Sequence, residues 1–228
     1  MKVALCISGH LRKFDQTFNS LYKSILSKYN PDIFIHTWDK LGFSCRFKTD
    51  SVLNETSTKL SLINKLYNPK KLIIESSDFV ETLKQEGNKY APHLINEPKH
   101  VGHMSSMFYK IYACNAIRKN FELENNISYD WIIRCRPDLL FHEKVDIPAN
   151  KQENTIWLPQ FICNAGWYTD QFAIADSDSM DLYSSIYFDL PEYFNKKMEY
   201  YPEKFVFWAL NEKNLKVDFL NTKFEILR

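Results

Sequence analysis

Short apolar runs alternate with amphipathic stretches from the start of the chain to Glu75, and this rhythm restricts the fold more than any other feature. Val3 to Ser8 is an apolar run of strand length, after which Phe14, Phe18, Leu21, Ile25 and Leu26 recur at helical spacing. Pro31-Asp32 introduces a second run, Ile33 to Trp38, closed by Asp39. Leu60, Ile63 and Leu66 then mark a helix ahead of Lys71-Leu72-Ile73-Ile74-Glu75. Parallel strands need a crossover, usually a helix, so β-α-β-α-β predicts an α/β fold: a mixed, mostly parallel sheet flanked by helices. A chain of 228 residues suits one domain spanning 1–228.

Further along, Gly87, Pro92, Pro98 and Gly102 predict a loop over 87–102, and Met104 to Phe121 a long helix. Tyr129 to Phe141 reads as a buried strand ending in charge. Thr155 to Leu158 and Phe172 to Ala175 are expected strands, with helices from Asp178 to about Tyr187 and from Pro202, at a first-turn position, to Asn211. The polar stretch from Leu41 to Thr56 is expected to be a loop over the site.

Composition excludes several classes. Lys plus Arg (29) nearly cancels Asp plus Glu (28), so the broad basic field of a nucleic-acid binder is absent. The five cysteines are scattered without zinc-ligand spacing and read as free thiols of a reducing compartment. An apolar start is cut short by His10, Arg12 and Lys13, and no apolar run is long enough to span a membrane; a soluble, cytoplasmic protein without a transmembrane anchor is expected. The five glycines are dispersed, which rules out a Walker loop and a G-x-G-x-x-G turn.

Charge gathers where strands end. Arg134 and Arg136 suit phosphate oxygens, and Asp138 suits a divalent cation or an internal salt bridge to arginine. Ser8-Gly9-His10-Leu11-Arg12 follows the first strand and would face the same crevice, either contacting a nucleotide or forming a plain turn. Asp39 can accept from ribose hydroxyls or cap the next segment. In Trp167-Tyr168-Thr169-Asp170-Gln171, Asp170 is a candidate general base or a turn aspartate. Asp176 and Asp178 read as caps, and Glu203 as a first-turn glutamate favoured by the helix dipole.

With these loops in order, A-L-C-I-S-G-H-L-R, D-I-F-I-H-T-W-D, R-C-R-P-D-L-L-F, T-D-Q-F-A-I-A-D and P-E-K-F-V-F-W-A-L, the chain resembles nucleotide-diphospho-sugar glycosyltransferases of GT-A type. The resemblance implies a single GT-A-like, Rossmann-like domain that moves a sugar from a nucleotide-sugar donor to a hydroxyl of a glycan or glycoconjugate acceptor. It implies that Ser8, Gly9, His10, Arg12 and Asp39 contact the nucleotide, and that Gln171 lies with Asp170 near the acceptor. The family's D-x-D, which holds Mn²⁺ or Mg²⁺ on the donor diphosphate, is matched here by Arg136-Pro137-Asp138, so only Asp138 carries over as a metal ligand. Arg134 and Arg136 would then stabilise the leaving nucleotide directly. Two alternatives stay open: a non-catalytic nucleotide- or carbohydrate-binding protein on the same scaffold, and another transferase acting on polyanionic substrates.

Overall fold

A computed structural model describes residues 1–40, 42, 56–92, 98–160 and 166–227. Strand β1 (Val3–Ser8) leads into α1 (Phe14–Leu21), which continues through a π-helical turn at Tyr22–Leu26 into α2 (Ser27–Tyr29). Asn30, at φ 42°, ends that helix in the left-handed conformation, which asparagine tolerates better than most residues. β2 (Asp32–Trp38), α3 (Thr56–Tyr67) and β3 (Lys71–Glu75) complete the expected alternation.

The expected loop over 87–102 is corrected at its two ends, while 93–97 lie outside the described residues. Gly87 lies inside α4 (Phe79–Tyr90) and Gly102 inside α5 (Pro98–Asn125). Gly102 permits close helix packing: a Cβ there would stand 2.8 Å from the Cβ of Lys84 on α4. The expected buried strand that ends at the arginines is β4 (Trp131–Cys135), the charged corner follows it, and β5 (Leu139–Phe141) lies beyond. β6 (Thr155–Pro159) and β7 (Phe172–Ala175) precede α6 (Ser177–Ser184), a 3₁₀ turn at Ser185–Asp189 and α7 (Leu190–Asn195). α8 (Pro202–Glu212), β8 (Lys216–Leu220) and β9 (Phe224–Ile226) follow.

Seven strands form one sheet in the order β3-β2-β1-β4-β7-β6-β8, and β5 pairs with β9 in a small second sheet. β3, β2, β1 and β4 run parallel; β7 is antiparallel to β4 and β6, and β8 is parallel to β6. The result is an α/β fold with a mostly parallel, mixed sheet, compatible with a Rossmann-like arrangement. Alternate residues of β1 feed two cores. Val3, Leu5 and Ile7 pack with Phe14 of α1 and Ile63 of α3, while Ala4 and Cys6 pack with Phe108 and Ile111 of α5 and Phe205 of α8. The chain therefore leaves β1 over one face and reaches β4 over the other, which opens a crevice at the carboxyl ends of these neighbours.

A buried polar network fixes α5 to α6. Arg118, 0% exposed, donates to Glu122, Asp181, Ser177 and, at 2.8 Å, the side-chain carbonyl of Asn115. Glu122 accepts at 2.8 Å from the backbone N–H of Tyr129, which ties the approach to β4 into the same network. No described helix is long and apolar enough to cross a membrane. Cys6, Cys114 and Cys135 are free and buried. Cys45, Cys163 and nearly all of the loop expected at 41–56 lie outside the described residues.

Candidate functional site

β4 is buried along its whole length between β1 and β7, and the chain must turn sharply when it leaves the sheet. The turn is held from three sides. Thr17 Oγ1 of α1 donates to the Pro137 carbonyl at 2.6 Å, Gln171 O accepts from Arg136 N–H at 3.3 Å, and Asp138 O accepts from Leu227 N–H at 2.9 Å. Asp138 is thereby buried, 1% exposed, with both carboxylate oxygens engaged. Arg136 forks onto it through Nε to Oδ1 at 2.9 Å and Nη2 to Oδ2 at 2.8 Å, and Arg12 Nη1 reaches Oδ2 at 2.8 Å. Burial alone would raise the Asp138 carboxyl, but Arg136 and then Arg12 outweigh it and hold the group below its usual range. Arg12 sits at φ 46°, a conformation a non-glycine residue adopts at some cost, to bring its guanidinium back to this carboxylate.

A cavity of about 400 Å³ opens beside the corner, at the carboxyl ends of β1, β2 and β4. Ser8, Gly9, His10 and Arg12 line it from β1, Trp38 and Lys40 from β2, and Arg134, Arg136 and Asp138 from β4; His103, Ser106 and Met107 of α5 form its other side. Arg12, Lys40, Arg134 and Arg136 face one carboxylate among the described lining residues, so the cavity is cationic although the whole chain is nearly neutral. Ser8 and Arg134 are 1% and 2% exposed, and each has a buried polar atom, Ser8 Oγ and Arg134 Nε, without a hydrogen-bond partner. Buried polar groups are nearly always satisfied in folded proteins, so orphaned atoms in a cavity wall mark a place for a ligand or water to bond.

The walls are stiff. His10 Nδ1 lies 3.1 Å from the Lys40 carbonyl, and Gly42, at φ +105°, packs so closely that a Cβ would stand 2.4 Å from His10 Cβ. Burial above all, with help from Arg12, His103 and Lys110, pushes His10 down to about 4, so the ring is neutral near pH 7. Behind Trp38, Lys110 Nζ stands 3.4 Å from the indole ring centre and donates to Thr37 O at 3.0 Å and Glu75 at 2.8 Å. Tyr109 donates to the other Glu75 oxygen at 3.0 Å. Burial lowers Lys110 to about 8 despite Glu75. This support could not be read from the sequence, because Lys110 lies on a helix and Glu75 closes a strand.

Three expected residues stand outside the cavity lining. Asp39 Oδ1 accepts from Ser77 N–H at 2.9 Å, which ties the end of β2 to the turn after β3 rather than capping the segment that follows Asp39. Asp170 is 3% exposed, and its backbone carbonyl accepts from Arg134. Gln171 takes part through its backbone carbonyl at the corner. A residue set aside as a helix-dipole glutamate joins this side instead. Glu203, in the first turn of α8, is raised by burial and then by the charge of Asp170, with Arg136 pulling the other way. Asp176 caps α6, accepting from Ser179 N–H at 2.7 Å.

The donor set does not suit Mn²⁺ or Mg²⁺. No group of three potential metal-ligating side chains occurs among the described residues, and Asp138 presents both oxygens to arginines whose charge opposes a cation. A comparison with curated proteins found no match. A family model described as a domain of unknown function, DUF7796, matches residues 1–186, a span that takes in β1 to β4, the cavity and the arginine corner. The chain belongs to the DUF7796 family.

Proposed function

We propose that the protein is a glycosyltransferase that takes a sugar from a nucleotide-sugar donor and passes it to a hydroxyl of a glycan or glycoconjugate acceptor. The observation that carries this reading is the cavity at the β1/β4 crevice, where cationic side chains and the orphaned polar atoms of Ser8, Ser77 and Arg134 meet the neutral wall of His10 and Trp38. A donor of that class has the matching parts: a ring system for the neutral wall and a diphosphate for the arginines. Arg134 and Arg136 would stabilise charge developing on the leaving nucleotide, in place before the reaction and partly shielded from water. Asp138 is a positioning residue that holds Arg12 and Arg136.

The acceptor would approach Asp170 and Glu203, where burial and then the charge of Asp170 raise the Glu203 carboxyl. A general base must reach the hydroxyl proton, and Glu203 is the more exposed of the two, so Glu203 would take the proton with Asp170 tuning it. The resemblance to GT-A enzymes supports the same reading. Full engagement of Asp138 by arginine favours the second reading, a non-catalytic binder on the same scaffold.

Release of free nucleotide from a panel of nucleotide sugars separates the two. One donor should turn over, and Glu203→Gln should slow it by roughly a hundredfold while leaving donor binding intact. Binding without turnover of any donor, with or without added glycans, would establish the second reading instead.

A further inference from the structure

We propose that the Arg12–Arg134–Arg136 end of the cavity holds a pyrophosphate group without a divalent cation, the arginines taking the place a metal would occupy. The inference rests on the donor-binding reading above and specifies how that site handles charge. Both Asp138 oxygens are spent on guanidinium hydrogen bonds of 2.8 to 2.9 Å, and a cation approaching them would have to displace Arg12 or Arg136. Among the residues lining this end, three guanidiniums meet one carboxylate, with Asp170 and Glu203 outside the lining, so the wall itself is cationic, which disfavours a metal ion and attracts a pyrophosphate. Arg134 and Ser8 are buried, line the cavity and lack partners at Nε and Oγ, and both atoms are donors suited to phosphate oxygens. A metal site needs anionic acceptors; the buried atoms awaiting partners here are a guanidinium N–H, which can only donate, and an uncharged hydroxyl, which can donate to phosphate.

Titration calorimetry with inorganic pyrophosphate and with a set of nucleotide sugars, each in EDTA and in Mn²⁺ or Mg²⁺, tests the inference. Pyrophosphate is expected to bind in EDTA, with an affinity within about threefold of that measured with metal. Arg136→Lys keeps the charge but loses the fork and should weaken pyrophosphate by about tenfold. Ser8→Ala removes a single donor and should weaken it by about threefold with no fall in melting temperature, so loss of folding does not confuse the result. Binding that requires metal and vanishes in EDTA would overturn the inference while leaving the donor reading in place. Pyrophosphate bound in EDTA with no nucleotide sugar bound more tightly would uphold the anion site and remove the donor reading. Absence of binding by either ligand, with or without metal, would overturn both.

Discussion

Asp138 and its two arginines show how one carboxylate changes role with its surroundings. In the sequence, Arg136-Pro137-Asp138 fits a metal ligand and an internal salt bridge equally well, because neither Arg12 nor the depth of the corner is visible. In the fold, Arg12 comes from a loop 126 positions away in the chain and completes a fork around a carboxylate that is 1% exposed. Removing one member of such a group leaves the others buried and unbalanced. Asp138→Ala should cost about 3 kcal/mol in urea unfolding, towards the low end of the range for buried pairs because both arginines are partly exposed. A loss within a few tenths of a kcal/mol would show that the arginines find other partners. That Ser8, Gly9, His10 and Arg12 line the crevice was legible because they close or follow an apolar strand. Glu203 was not legible: a glutamate in a first helical turn already has a local explanation, and its coupling to Asp170 exists only once α8 packs against the sheet.

Among the elements, long apolar or periodic segments were read correctly and close-packed ones were not. Val3–Ser8, Asp32–Trp38 and Lys71–Glu75 are strands at the expected places because continuous apolar runs of that length leave few alternatives. α4 was missed because Gly87 counts locally as a breaker, although in the fold it is a buried residue of a helix packed on α5. The antiparallel entry of β7 beside β4 was also invisible, since pairing partners are set by how the helices pack. Helix α5 carries the wall of the cavity and is anchored near its far end by Arg118. Arg118→Leu leaves Glu122 and Asp181 without their shared cation and should cost on the order of 3–5 kcal/mol by chemical denaturation. A cost below about 1 kcal/mol would mean that Lys119, which already pairs with Asp181 at 2.9 Å, takes over the network.

For the molecule as a whole, charge is balanced in sum and uneven in place. The near-equality of acidic and basic residues over the whole chain conceals four cations around one cavity. The same burial sets the response to pH. His10 and His36 are both pushed from 6.5 to about 4, by desolvation first and then by neighbouring cations, among them Lys110. Between those values the unfolded chain binds more protons than the folded one. The contribution of the two rings is therefore whole above about pH 6.5 and falls as the pH drops towards about 4; Asp138, held below its usual value, adds a further loss in more acidic solution. Melting temperature followed across this range should decline steadily, and a flat profile would show that the two rings are protonated in the fold.

If the crevice at the ends of β1, β2 and β4 takes a nucleotide sugar, a thermal-shift panel of nucleotide sugars against the wild type and Arg136→Lys will show it. A ligand that binds only the native state raises the melting temperature, by an amount that grows with its concentration over its dissociation constant. One nucleotide sugar should stabilise the wild type more than its free sugar or inorganic phosphate does, and that gain should shrink in Arg136→Lys. Equal shifts in both proteins, or no shift with any nucleotide sugar while glycans or simple polyanions stabilise, would contradict the assignment.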